Sequence, residues 1–254
     1  MLAALQRHPF PVDAFFERSV VLGFALPAER LGAHVPAGLE LDTYADRWGF
    51  LVVAIVRTRD LRPAGFPRWL GRKFSLVGYR IFVRYRSSSG QAMRGLYILR
   101  TETDRRIMKL NGNLFTRYNY HWTDLSWDLQ SDEIGIRSER SGLHVRVRMR
   151  EEDPALPNGS PFESWKEARR FAGPMPYTFA PDPGGEKMVI IKGVRSNWQP
   201  RPLEVTRSEV GFFGRKGLSG ATLANAFVVV NTPYRWERGR IDRISVGAHA
   251  GSNP

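Results

Sequence analysis

The sequence predicts a mainly β (α+β) protein, a barrel or a pair of sheets with two or three short helices. Three observations predict it. Short runs alternating apolar and polar residues recur along the chain, separated by Gly, Pro and Ser turn signals. The few stretches with helical spacing are short. No segment repeats at a fixed period, and none has low complexity. With 254 residues, 42% of them hydrophobic, the chain is long enough to enclose a sizeable core.

Residues 1–13 are punctuated by Pro and read as an extended arm. Arg18 to Ala25 is strand-like. Pro27 opens a short helix, since proline suits a first turn, and Gly38 follows it as a terminator. Trp48 to Thr58 is nearly all apolar, the pattern of a strand buried on both faces. A loop rich in Pro, Gly and Arg runs from Arg62 to Lys73. Val77–Arg86 and Gly95–Thr103 read as neighbouring strands joined through Ser87-Ser88-Ser89-Gly90.

The stretch from Gly95 to Trp127 organises the chain: strand, short helix, then a second strand dense in Tyr, His and Trp. Asp104 is the expected cap of that helix, and Ile107, Leu110/Asn111 and Leu114 are its expected inner stripe. Beyond it, Tyr118, Tyr120 and Trp122 share one strand face, and Asn119, His121 and Thr123 share the other.

Further on, Glu133–Glu139 and Leu143–Arg150 read as a hairpin through Ser141-Gly142. His144, Arg146, Arg148 and Arg150 form a basic face that belongs in water, because burying four charges is costly. Ser160, Pro161 and Glu163 carry the signature of a capping box, so a helix is expected to start there. Strands resume at Met175–Ala180, Glu186–Arg195, Leu203–Val210, Ala226–Val230 and Ile241–Val246. One domain, residues 9–247, is expected, with flexible termini at 1–8 and 248–254.

The net charge of +13 favours anionic partners: a carboxylate ligand, an acidic lipid surface or nucleic acid. No Cys is present, which removes disulfides and thiolate chemistry. The five His residues (8, 34, 121, 144 and 249) show no metal-ligand spacing, so neither a metal site nor a cofactor is expected. No apolar run reaches the ~20 residues of a membrane span. No secretory signal is evident, and a cytoplasmic location follows by default. The chain carries no dinucleotide fingerprint, Walker loop or G-x-S-x-G elbow. Nucleic acid is disfavoured, since no finger, helix-turn-helix or RNA-recognition box occurs. Lys109 has cationic neighbours in Arg105 and Arg106 but sits off the apolar helix stripe, so it reads as a surface residue.

At P-A-E-R-L-G-A-H-V-P-A-G-L-E-L (27–41), preceded by the strand E-R-S-V-V-L-G-F, the chain resembles acetoacetate decarboxylase-like proteins. It is most similar to their uncharacterised bacterial relatives, the domain of unknown function 2071. The resemblance continues through L-E-L-D-T-Y…W-G-F-L-V-V (39–53), R-P-A-G-F-P (62–67), Y-N-Y-H (118–121) and S-N-W-Q-P-R-P-L (196–203). It implies a cone-shaped β-barrel with flanking strands and a small polar cavity. In the decarboxylases that cavity holds a Schiff-base lysine, an arginine and glutamates. Arg18 matches the arginine. The segment Thr116–Asn119 carries no lysine, and Gly49–Leu51 and Phe74–Tyr79 carry no acid, which argues against Schiff-base chemistry here.

The expected function is therefore binding of a small organic acid or carbonyl compound in a barrel cavity, with lyase or hydratase chemistry that needs no amine. Whether the chain is an enzyme stays open. Tyr118, Tyr120 and His121 are the candidate catalytic groups, since they could orient or protonate a carbonyl. Arg18 would pair with the ligand's carboxylate, Asn111 and Asn113 would add hydrogen bonds, and Trp198 would wall the pocket. The partner is a small carboxylate or carbonyl ligand, and self-association into a homo-oligomer is compatible with the sequence. The rival reading is a non-catalytic basic protein that binds nucleic acid or an anionic lipid surface.

Overall fold

The computed structural model describes residues 5–173 and 175–244. In chain order its elements are β1 (Val12–Pro27), α1 (Ala28–Gly32), β2 (Glu40–Leu41), β3 (Trp48–Pro63), a 3-10 turn (Arg68–Leu70), β4 (Arg72–Arg86) and β5 (Ala92–Thr103). There follow α2 (Arg106–Phe115), β6 (Tyr120–Trp122), β7 (Ser126–Leu129), β8 (Glu133–Ser138), β9 (Leu143–Arg148), α3 (Trp165–Phe171), β10 (Tyr177–Pro181) and β11 (Lys187–Arg195). The last are β12 (Arg201–Pro202), β13 (Glu204–Val210), α4 (Gly211–Arg215), β14 (Thr222–Trp236) and β15 (Arg240–Arg243).

Seven strands close into a ring in the order β14-β1-β3-β4-β5-β10-β11, and β11 pairs back onto β14. Every contact in the ring is antiparallel except β5–β10. Long apolar runs in β1 and β3 make this possible, because each strand is buried on both faces. The outward side chains of the ring, among them Val53, Ile55, Tyr79 and Ile81, pack against Ile134, Ile136, Val145 and Val147 of a second sheet, β13-β9-β8-β7.

The two ends of the ring are filled differently. At one, Phe50, Ala54 and Phe82 join Phe162 and Ala168 beside α3. At the other, Phe16, Val56, Phe74 and Leu76 surround Met108 of α2. What lies between these two clusters is the site described below.

Helix starts differ from the sequence reading. Ser160 does not cap a helix: its hydroxyl donates to Ala224 O at 2.8 Å and ties that loop to β14. The cap is Ser164, whose hydroxyl accepts from Glu167 N–H. Asp104 likewise does not cap α2, because its carboxylate accepts from Ser75 N–H at 2.8 Å. The buried side of α2 is Met108 and Gly112, while Ile107 and Leu110 are exposed.

The basic face of β9 is exposed, as expected, and largely neutralised. Arg146 and Arg148 pair with Glu133 at 2.7 and 2.9 Å, and Arg150 pairs with Glu204 at 2.6 Å. The arm before β1 is pinned: His8, inside the expected flexible terminus, is buried, and its N–H donates to Phe115 O. Residues 248–254, expected to be flexible, lie outside the described residues. Among the described residues, no helix is long and apolar enough to cross a membrane.

Candidate ligand-binding site

The interior of the ring holds a cavity of about 110 Å³ to which all seven strands contribute. Most of its wall is apolar. The polar groups in that wall are few: Arg80 from β4, Arg195 from β11, Asn225 and Tyr234 from β14, Tyr118 and Tyr120 after α2, and Trp198. Ser19, Thr101 and Thr178 add hydroxyls. Among the described residues that line it there is neither a carboxylate nor a lysine.

Arg80 dominates the electrostatics. Arg80 is largely but not fully buried, and it lines the cavity. Its Nε is buried without a hydrogen-bond partner. Burial lowers its pKa, partly opposed by the neighbouring tyrosines, yet a guanidinium stays protonated at neutral pH. A largely buried cation with no carboxylate beside it among the described residues is costly, and an anion entering the cavity would relieve that cost.

Arg195 stands in the same wall, donating to Met175 O at 2.9 Å and lying 4.8 Å from the centre of the Trp198 ring. Burial lowers its pKa, and Arg80 is close enough to lower it further by repulsion.

Three phenols complete the polar wall. Burial raises the pKa of Tyr118 and Tyr234 and pushes Tyr120 up to about 12, so all three are neutral donors at pH 7. Phe16, Tyr234 and Trp236 form one aromatic wall, with Tyr234 stacked on Phe16 at 4.6 Å. The Tyr118 hydroxyl lies near Thr178 but closes no hydrogen bond of ordinary geometry. Trp198 Nε1 and Asn225 Oδ1 are also buried without partners. Four orphaned polar atoms, counting Arg80 Nε, therefore belong to residues around one cavity. Such atoms are uncommon in folded proteins, and ligand sites are one of their explanations.

The sequence-predicted residues divide. Tyr118, Tyr120 and Trp198 line the cavity together. Asn113 does not line it. Instead it locks the strand that does: its Nδ2 donates to Tyr120 O at 2.9 Å, and its Oδ1 accepts from Tyr120 N–H at 2.8 Å. Asn111 is exposed and lines a neighbouring chamber.

Arg18 and His121 are not in the cavity wall. A bulge between Phe16 and Arg18 switches the side-chain alternation of β1, so Phe16, Ser19 and Val21 face inward and Arg18 does not. Arg18 lies opposite Arg57 of β3, and burial and Arg57 lower its pKa. His121 follows Tyr120 by one residue and points to the other face, where Nε2 meets Asn119 Oδ1 at 3.0 Å. Burial, Arg100 and Lys109 lower its pKa, which keeps the ring neutral at pH 7. Trp122 is also outside, held between Arg106 and Arg140.

Arg80, Arg195, Asn225 and Tyr234 were missed by sequence reasoning. For Arg80 a signal existed: it is the single charge at an inward position of the apolar run L-V-G-Y-R-I-F. Nothing local marks the other three.

A family model for DUF2071, an uncharacterized conserved protein, matches residues 14–233. No curated protein sequence matches the chain. Among solved structures, the chain is similar to acetoacetate decarboxylase from Legionella pneumophila, with TM-score 0.57 and 11% identity over 93% of this chain and 88% of that one. An acetoacetate decarboxylase-like enzyme from Sphingomonas wittichii RW1 gives 0.55 and 13%, over 94% of both chains. The enduracididine biosynthesis enzyme MppR, complexed with pyruvate, gives 0.55 and 10%, over 93% and 91%. At these identities the likeness is one of fold. The chain belongs to the DUF2071 family and has the fold of acetoacetate decarboxylase-like proteins.

Proposed function

We propose that the protein binds a small organic acid, of the carboxylate or 2-oxo acid class, inside the ring. The observation that carries this reading is Arg80, a buried guanidinium facing a cavity whose described lining holds no acid. Its fork matches a carboxylate. The neutral phenols and Trp198 Nε1 supply donors for a ligand carbonyl, and Asn225 supplies an acceptor, or a donor with the amide turned over. MppR, which shares the fold, has been captured with pyruvate.

Neutral donors beside a guanidinium stabilise negative charge developing on a carbonyl oxygen, which is the chemistry lyases and hydratases need. A lysine adduct has no support, because no lysine is among the described residues that line the cavity. The roles first given to Arg18 and His121 pass to Arg80 and the tyrosines. The rival reading, a basic surface for nucleic acid or lipid, rests on the net charge of +13; on the exposed face of β9, Arg146, Arg148 and the neighbouring Arg150 are already paired with Glu133 and Glu204.

The test is titration of the protein with pyruvate, followed by calorimetry and melting temperature. Binding and a raised melting temperature are expected in the wild type, and both are lost in Arg80→Met. Unchanged binding in Arg80→Met removes the proposal.

A further inference from the structure

A second pocket, of about 260 Å³ and partly open to the surface, lies between the arm at His8–Phe10, the connection from Leu61 to Arg72, and α2. Tyr118, Tyr120 and Trp236 line both spaces, so one aromatic partition separates the inner chamber from the outer. The outer walls are mostly apolar, with Phe10, Leu61, Met108 and Phe115 prominent. Their charged members, Arg62 and Arg72, are both cations.

One buried polar atom there has no partner. His8 is 6% exposed, lines the outer chamber, and its Nδ1 makes no hydrogen bond. Its backbone is fixed on both sides: His8 N–H donates to Phe115 O, and His8 O accepts from Gly239 N–H, each at 2.9 Å. His8 therefore lines the chamber from a pinned segment.

Volumes decide how the two spaces divide a ligand. A dry apolar cavity of about 150 Å³ holds a benzene ring. The inner chamber, at about 110 Å³, is smaller than that and suits a head group. The outer one is larger, apolar and shares a wall with the head-group site.

We propose that the ligand is an amphipathic carboxylic acid, with its carboxylate end against Arg80 and an aromatic or medium alkyl tail passing the Tyr118–Tyr120–Trp236 partition into the outer chamber. This rests on the carboxylate reading given above. Arg62 and Arg72, in the outer wall, draw an anion toward the entrance.

The test compares pyruvate with phenylpyruvate and 2-oxooctanoate by calorimetry on the full chain. The two tailed acids are expected to bind about tenfold tighter or more, because an apolar tail gains by leaving water. Asn111→Trp, a change at an exposed residue of the outer wall, brings that ratio toward one. Equal affinities in the wild type, or a ratio that Asn111→Trp leaves untouched, overturn the tail assignment. Loss of all three ligands in Arg80→Met would still uphold the head-group reading in that case. Binding of none of the three overturns both.

Discussion

The guanidinium of Arg80 rests against the bare α-carbon of Gly78, two residues earlier on β4. A β-carbon at position 78 would stand 2.7 Å from Arg80 Nε and 3.2 Å from Cζ. Glycine therefore leaves the volume that the cation occupies. The group that must yield to a larger residue is the end of a flexible side chain, so Gly78→Ala is expected to leave the fold intact and displace the charge. Pyruvate affinity should fall about tenfold while the melting temperature without ligand moves little. Calorimetry and a thermal scan of the same sample check both halves.

Arg80→Met has the opposite balance. It replaces an uncompensated buried charge with an apolar side chain of similar length, a type of exchange that often stabilises. The ligand-free protein should melt several degrees higher than wild type, with no further rise when pyruvate is added. A lower melting temperature would mean that Arg80 holds the ring together.

The tyrosines set an alkaline limit. An ordinary phenol titrates near pH 10, whereas burial pushes Tyr120 to about 12 and raises Tyr118 and Tyr234. Their folded pKa values exceed the unfolded ones, so their stabilising share is intact below pH ~10 and is lost as pH rises through the folded values. Denaturant midpoints should decline above pH ~10, and absorbance of tyrosinate should lag behind that of the unfolded chain. Tyr120→Phe should weaken the decline.

His8 sets an acid limit by the reverse sign. Burial lowers its pKa from 6.5 to about 4. The contribution is present above the unfolded value and is lost as pH falls from 6.5 through 4, on the order of 3 kcal/mol at full loss. His8→Phe should flatten the pH dependence of stability in that window, read from urea midpoints at pH 7, 5.5 and 4.

Borohydride reduction in the presence of pyruvate is expected to leave the mass of the protein unchanged. Among the described residues no lysine lines the cavity, and Lys109 is exposed on α2. A stable adduct on any single lysine would restore amine catalysis to the account.

Much of the fold was legible because its signals are local. The apolar run from Trp48 announces a strand buried on both faces, and the Ser-Ser-Ser-Gly turn announces the β4–β5 hairpin. The cavity lining was legible only where alternation runs unbroken. Tyr118 and Tyr120 were found because they share a face, and the same alternation already set His121 on the other one. Arg18 lies outside the cavity lining because a bulge, which leaves no mark in residue types, shifts β1 by one position. A second irregularity, between Tyr79 and Arg80 in the β4–β5 pairing, lets Ile98 and Thr101 both face inward. Arg195 and Tyr234 come together only when β11 meets β14, a contact between distant parts of the chain.

That last meeting is narrow. β11 and β14 touch through three residue pairs, Gly193 with Trp236, Val194 with Arg235, and Arg195 with Tyr234. Arg195, Tyr234 and Trp236 also line the cavity, so this join, as short as the three-pair β5–β10 contact, is built from groups a guest would touch. An occupant bridging them would act as a stitch across that slit, slowing amide hydrogen exchange at 193–195 and 234–236 more than elsewhere in the wall.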